Sequence, residues 1–177
     1  MSEHIALAIV LAAVAAALIL YFFYRRSRRE IQRLREYEFF CDKFYGGAET
    51  LVSESDTPER MLAHIAMLNL VVSDKRIAKM FFKFYVKEVK NRIAGVSGEG
   101  LGEELAVFLN AHKNLERIIT DTYMGAILAA TFLCGIRGVK YRAMLAEIFG
   151  RENKPVTAIK AIEESQTHCP ALATVPV

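Results

Sequence analysis

From Ile5 to Tyr24 the chain carries twenty consecutive residues with no charge and no strongly polar group: seven Ala, four Leu, three Ile, two Val, two Phe and two Tyr. A helix of that length rises about 30 Å, the hydrocarbon thickness of a bilayer. The Ile, Leu, Val and Phe side chains each favour insertion by about 0.3–0.6 kcal/mol at a helix centre, roughly 3–7 kcal/mol for the whole set. A run this uniform at the edge of a small chain reads as a transmembrane helix. A cleaved secretory signal would need a basic leading segment, a shorter apolar stretch and small residues at its end. Here Met1-Ser2-Glu3-His4 has no Lys or Arg, and the bulky Tyr21-Phe22-Phe23-Tyr24 stands where small residues are required. The segment is therefore expected to be retained, with Tyr21 and Tyr24 in the aromatic belt at the interface.

The flanks set the expected orientation. Arg25, Arg26, Arg28, Arg29, Arg33 and Arg35 follow the run directly, and nothing basic precedes it. Positive flanks stay on the cytoplasmic side. Residues 1–4 should lie outside, 5–24 in the membrane, and everything from about 25 onward in the cytoplasm, most simply across a bacterial inner membrane. Cys41, Cys134 and Cys169 form no obvious pairs, which suits a reducing compartment.

Beyond the anchor the pattern predicts an all-α fold of about five to seven helices and no strand. Residues 25–36 read as a basic juxtamembrane helix, 37–166 as the helical domain and 167–177 as a mobile tail. Ile31, Leu34, Cys41, Phe44, Ala48 and Leu51 recur at helical spacings, so the first helix should continue straight out of the membrane. Gly46-Gly47 is expected to kink or end it. Thr57 is a candidate N-cap and Pro58 a first helical residue for a helix to about Val72. Ser73 or Asp74 should cap the next, to about Ala94. A glycine-rich connector follows at 95–102, then helices over about 103–112, 115–134, 139–149 and 155–165.

The segment Ile118–Ile136 carries one charge, Asp121, and its apolar stretch Met124–Ile136 is too short to span a membrane. It reads as the central buried helix of the domain. The alternative is an accessory subunit of a larger complex in which 118–136 also enters the membrane. Asp121 is expected to cap or face solvent at the helix start, and to matter functionally only if that segment meets lipid.

Two basic zones are the candidate contact surfaces. The collar at 25–35 holds six Arg against Glu30, net +5. It can bind anionic lipid headgroups or an acidic partner, at about 1 kcal/mol per charge near an anionic leaflet, or serve only as a stop-transfer flank. Residues 75–92 hold seven Lys and Arg against Glu88, net +6. Lys79, Lys83, Lys87 and Lys90 form one helical stripe, with Ile77, Met80, Phe81, Phe84, Val89 and Ile93 elsewhere on the helix. Such a face can be a solvated exterior, or meet a membrane surface or an acidic protein partner. A single stripe without a docking motif argues against nucleic acid. Within the anchor, Ala8, Ala12 and Ala16 make a small-residue line suited to helix packing or self-association.

Other motifs carry less. Gly95, Gly98, Gly100 and Gly102 lack the preceding strand or the Gly-Lys-Ser/Thr ending of a phosphate loop, and Glu99, Glu103 and Glu104 would repel an anion there. His4, His64, His112 and His168 show no metal-ligand spacing, and no nucleophile signature is visible, so no cofactor or metal is expected. His168-Cys169-Pro170 and the terminal Val175-Pro176-Val177 are weak matches to a haem-responsive dipeptide and a carboxylate-read terminus. The chain therefore reads as a non-enzymatic, membrane-anchored scaffold, adaptor or accessory subunit. A membrane-tethered enzyme with a site assembled from scattered side chains is the third alternative.

Overall fold

Five helices, and no strand, make up the regular structure among the described residues of the computed structural model, which are 2–93, 107–108 and 110–151. They are α1 (Ser2–Ser53), α2 (Glu59–Ser73), α3 (Lys75–Ile93), α4 (Glu116–Leu133) and α5 (Ile136–Arg151), with a 3-10 turn at Lys113–Leu115. The predicted connector at 95–102, the helix at 155–165 and the tail lie outside the described residues. The helix predicted over 103–112 is described only at 107, 108 and 110–112, of which the first two and 110–111 are helical. By Cα packing the chain divides into residues 1–36 and residues 37–177.

The first unit is helical at every described residue, and its described side chains are all exposed. Ile31 and Leu34, the first residues of the helical periodicity, belong to this unit and are exposed. Their partners in that pattern, Cys41, Phe44, Ala48 and Leu51, are buried in the second unit.

In the second unit, α4 is the central helix. Ile119, Tyr123, Ala126, Ile127 and Ala130 are buried on it at helical spacing, beside Ala129, Thr122, Thr131 and Phe132. Met61, Ile65, Met67, Leu68, Val71 and Val72 of α2 join this core, as do Ala78, Phe81, Phe82 and Tyr85 of α3 and Leu145 of α5. The predicted core role of 118–136 is thus met from Ile119 to Cys134, whereas the helix stops at Leu133, and Gly135 and Ile136 are exposed. Aromatic pairs fill it, Phe81 stacking on Tyr85 at 5.1 Å and Phe82 on Tyr141 at 4.8 Å.

Gly46-Gly47 does not end α1, which continues to Ser53. The reason is packing. A Cβ on Gly47 would run into Thr122 Oγ1 of α4, and one on Gly125 of α4 would sit 2.9 Å from the Phe40 carbonyl oxygen and 3.0 Å from the Phe44 amide nitrogen. Two glycines therefore let the backbones of α1 and α4 approach, and the close packing this permits offsets the helix-propensity cost of about 1 kcal/mol each. Gly46, one residue away, faces open space.

The helix ends differ from the expected ones in two places. Thr57 does not cap α2. Its hydroxyl donates to the Leu51 carbonyl at 2.6 Å, satisfying an otherwise unpaired acceptor in the last turn of α1. Pro58 sits just before the first helical residue and its carbonyl accepts from the Met61 amide at 2.9 Å. Between α2 and α3, Asp74 is the cap: its carboxylate accepts from the amides of Arg76 and Ile77. Helix α5 starts at Ile136, ahead of Gly138, because Gly135 takes the left-handed turn at φ +62°. Gly138 lies inside α5, where a side chain would collide with the Thr131 carbonyl.

Candidate functional site

Helix α1 is long and apolar enough to cross a membrane. It contains an eighteen-residue window of mean hydropathy 2.6, none of it buried within the protein. Ala8, Ala12 and Ala16 are exposed on it, as are Tyr21 and Tyr24. All six arginines of the collar, Arg25, Arg26, Arg28, Arg29, Arg33 and Arg35, are exposed too. Arg33 is ion-paired with Glu30 one turn back, at 3.1 Å.

Helix α3 divides its circumference sharply. Ala78, Phe81, Phe82 and Tyr85 are fully buried; Ile77, Met80 and Phe84 are half-buried at the margins. Lys79, Lys83 and Lys87 are exposed, together with Lys75 and Arg76. Lys90 lies on the same helix, and its side chain, with those of Val89 and Ile93, falls outside the described ones. Lys83 Nζ stands 5.9 Å from the centre of the Phe84 ring, a long cation–π contact.

The fold adds neighbours to this face that spacing along one helix does not reveal. Stacking of Phe82 on Tyr141 ties α3 to α5. The turn after Cys134 then presents Ile136, which is 87% exposed, and Val139, 57% exposed. Arg137 and Lys140 stand exposed between and beside them. From Gly135 to Ala146 there are three basic residues and no acidic one. Arg142, the third, is turned inward: its Nη1 donates to Thr131 Oγ1 at 3.1 Å and its guanidinium lies 4.1 Å from the Phe132 ring centre. The missed signal was the placement of Ile136 beside Gly135, which ends one helix and exposes the first residue of the next.

The buried titratable groups fit structural roles. His64 is 1% exposed and its Nδ1 lies 3.1 Å from the Tyr123 hydroxyl. Burial, helped by the charge of Arg60, holds its pKa down to about 4, so the imidazole is neutral at pH 7. Burial pushes the Cys134 thiol up to about 11, against the opposing pull of Lys79. Burial raises the Cys41 thiol as well. Neither cysteine has the depressed pKa of a nucleophile. The Tyr37 hydroxyl donates to the Val72 carbonyl at 3.0 Å, and its pKa rises to about 12 through burial first and its contact with Cys41 second. Asp121 forms an exposed ion pair with Lys43 at 3.4 Å and does not cap α4. No group of three metal-ligating side chains occurs among the described residues. The glycine loop, the Cys169-Pro170 dipeptide and the C-terminal Val-Pro-Val lie outside them.

Comparison with protein-family models, with curated proteins and with solved structures finds no match for the chain.

Proposed function

We propose that this is a non-enzymatic, membrane-anchored scaffold, adaptor or accessory subunit that acts through protein–protein and membrane-surface contacts. In this reading α1 crosses the bilayer with residues 1–4 outside, and residues from 25 onward lie in the cytoplasm. Ala8, Ala12 and Ala16 offer a close-packing line to a second helix in the bilayer. The observation that carries the contact role is the combined face of α3 and the α4–α5 turn. Lys79, Lys83 and Lys87 on α3 and Arg137 and Lys140 on α5 are exposed with no acidic partner among the described residues, Ile136 and Val139 are exposed on α5, and the Phe82–Tyr141 stack links the two helices. Exposed apolar side chains on the same helix as unpaired cations are the composition of a surface that meets an acidic partner.

Photocrosslinking in native membranes from a probe at Ile136 tests this. We expect a discrete heterologous adduct in the wild-type chain. Reversing Lys79, Lys83 and Lys87 to Glu should weaken the contact at least tenfold without unfolding the domain. Exposed pairs contribute about 0.2–1 kcal/mol each, and three reversals turn each attraction into a repulsion. An unchanged adduct in the triple variant would reduce this face to a solvated exterior.

A further inference from the structure

We infer that the arginine collar is a sided binding site for the phosphates of anionic phospholipids, built from Tyr21, Tyr24, Arg25, Arg28, Arg29 and Gln32; the inference rests on α1 spanning the bilayer. These six residues line one open cleft along α1. At about 100° per residue they fall within an arc of about 140°, because their spacing alternates three and one. Arg26 and Arg33 lie beyond that arc, and Glu30 lies on the opposite side, where it pairs with Arg33 at 3.1 Å. Glu30 is therefore turned away from the cleft, and the carboxylate that does fall within the arc is Glu36, one turn beyond Gln32. Gln32 has its amide tied to Glu36, Nε2 donating to Oε1 at 3.0 Å. Arg25, Arg28 and Arg29 have no acidic partner among the described residues.

Depth and chemistry both point to phosphate. Tyr24 ends the apolar run, so Arg25 to Arg29 lie about 1.5–8 Å past the hydrocarbon edge along the helix. The headgroup layer is about 5–8 Å thick on each side. Guanidinium groups bind phosphate oxygens bidentately with charge-assisted hydrogen bonds, and three of them within one turn repel one another until an anion enters. Tyr21 and Tyr24, 61% and 62% exposed, place hydroxyl donors on the same face at the interface. A segment serving only to fix topology needs the positive charge but not its concentration on one face with the tyrosines.

The test compares two variants of the full chain with equal loss of charge: Arg25→Gln/Arg29→Gln in the cleft and Arg26→Gln/Arg33→Gln outside it. Each is reconstituted into phosphatidylcholine vesicles with spin-labelled phosphatidylglycerol or spin-labelled phosphatidylcholine, and the motionally restricted lipid fraction is measured. The wild type should select phosphatidylglycerol, the cleft variant should lose at least threefold of that selectivity, and the outer variant should keep it within about 1.5-fold. Equal loss in both variants, or no selectivity in the wild type, overturns the sided site. Loss of selectivity to millimolar inorganic phosphate would also overturn it, because free anion would then replace the lipid. Alkaline carbonate extraction of the same vesicles separates this failure from failure of the anchor: a chain released from the pellet refutes the membrane span itself.

Discussion

Gly46 and Gly47 are adjacent in one helix but meet opposite environments, so alanine at each position should act in opposite directions. In an exposed helix interior, Gly→Ala gains about 1 kcal/mol of helix propensity. Gly46 has nothing within 4 Å of an added Cβ, so Gly46→Ala should realise that gain. At Gly47 the added methyl meets Thr122 Oγ1, while Thr122 Cβ and the Ile118 carbonyl oxygen stand at 3.2 and 3.3 Å. Thr122 cannot simply rotate away, since its hydroxyl donates to Ile118 O at 2.6 Å inside the core. Overpacking of this kind costs about 1–3 kcal/mol. The propensity gain is common to both variants, so their stabilities should differ by about 1–3 kcal/mol, with Gly47→Ala the lower. For a domain of this size, 1 kcal/mol moves Tm by about 3 °C. Thermal unfolding of the full chain in detergent, followed by near-ultraviolet circular dichroism, would read the difference. Adding Thr122→Ala to Gly47→Ala removes the colliding atom and should recover at least half of it, a coupling that two non-touching sites do not show. Equal Tm values for the two single variants, or no recovery in the double, would refute the close crossing of α1 and α4.

Two further outcomes follow from the buried polar groups. The His64 pKa falls from 6.5 in the unfolded chain to about 4 in the fold, so the unfolded state alone takes up the proton between those values. Its stabilising contribution is complete above pH 6.5 and is lost as pH drops toward 4, by about 3 kcal/mol in all, and His64→Gln should flatten the pH dependence of Tm across that window. Tyr85 is fully buried and its hydroxyl has no hydrogen-bond partner among the described residues. Tyr85→Phe should therefore leave Tm unchanged or raise stability by about 1 kcal/mol, and a loss of that size would show that the hydroxyl is paired.

What could be read without coordinates was whatever depends on one helix at a time. The uncharged run Ile5–Tyr24, the helical periodicity through Cys41, Phe44, Ala48 and Leu51, a cap at Ser73 or Asp74 and the Lys79–Lys83–Lys87 stripe all follow from local period or chemistry. What could not be read depends on two elements meeting. Gly47 looked like a helix breaker because its partner, Thr122, is distant in sequence. Thr57 looked like a cap because the Leu51 carbonyl that takes its hydroxyl belongs to the preceding helix. His64 showed only that it had no metal-ligand spacing, because Tyr123, which lies against it, is distant in sequence. Ile136 looked like the end of an apolar core segment, and a left-handed Gly135 turned it to the surface. The arginine collar read as a charge total, although the turn of one helix already divides it into a face and its reverse side.

Whether one span tethers the helical domain in the cytoplasm is decided by protease protection. The full chain carries an N-terminal epitope tag, and sealed membrane vesicles of both orientations are treated with protease. Right-side-out vesicles should lose the tag and keep a fragment containing residues 37–151, whereas inside-out vesicles should keep the tag and lose that fragment. Digestion of residues 37–151 from the outer face, or release of the intact chain by alkaline carbonate, would contradict the proposed topology.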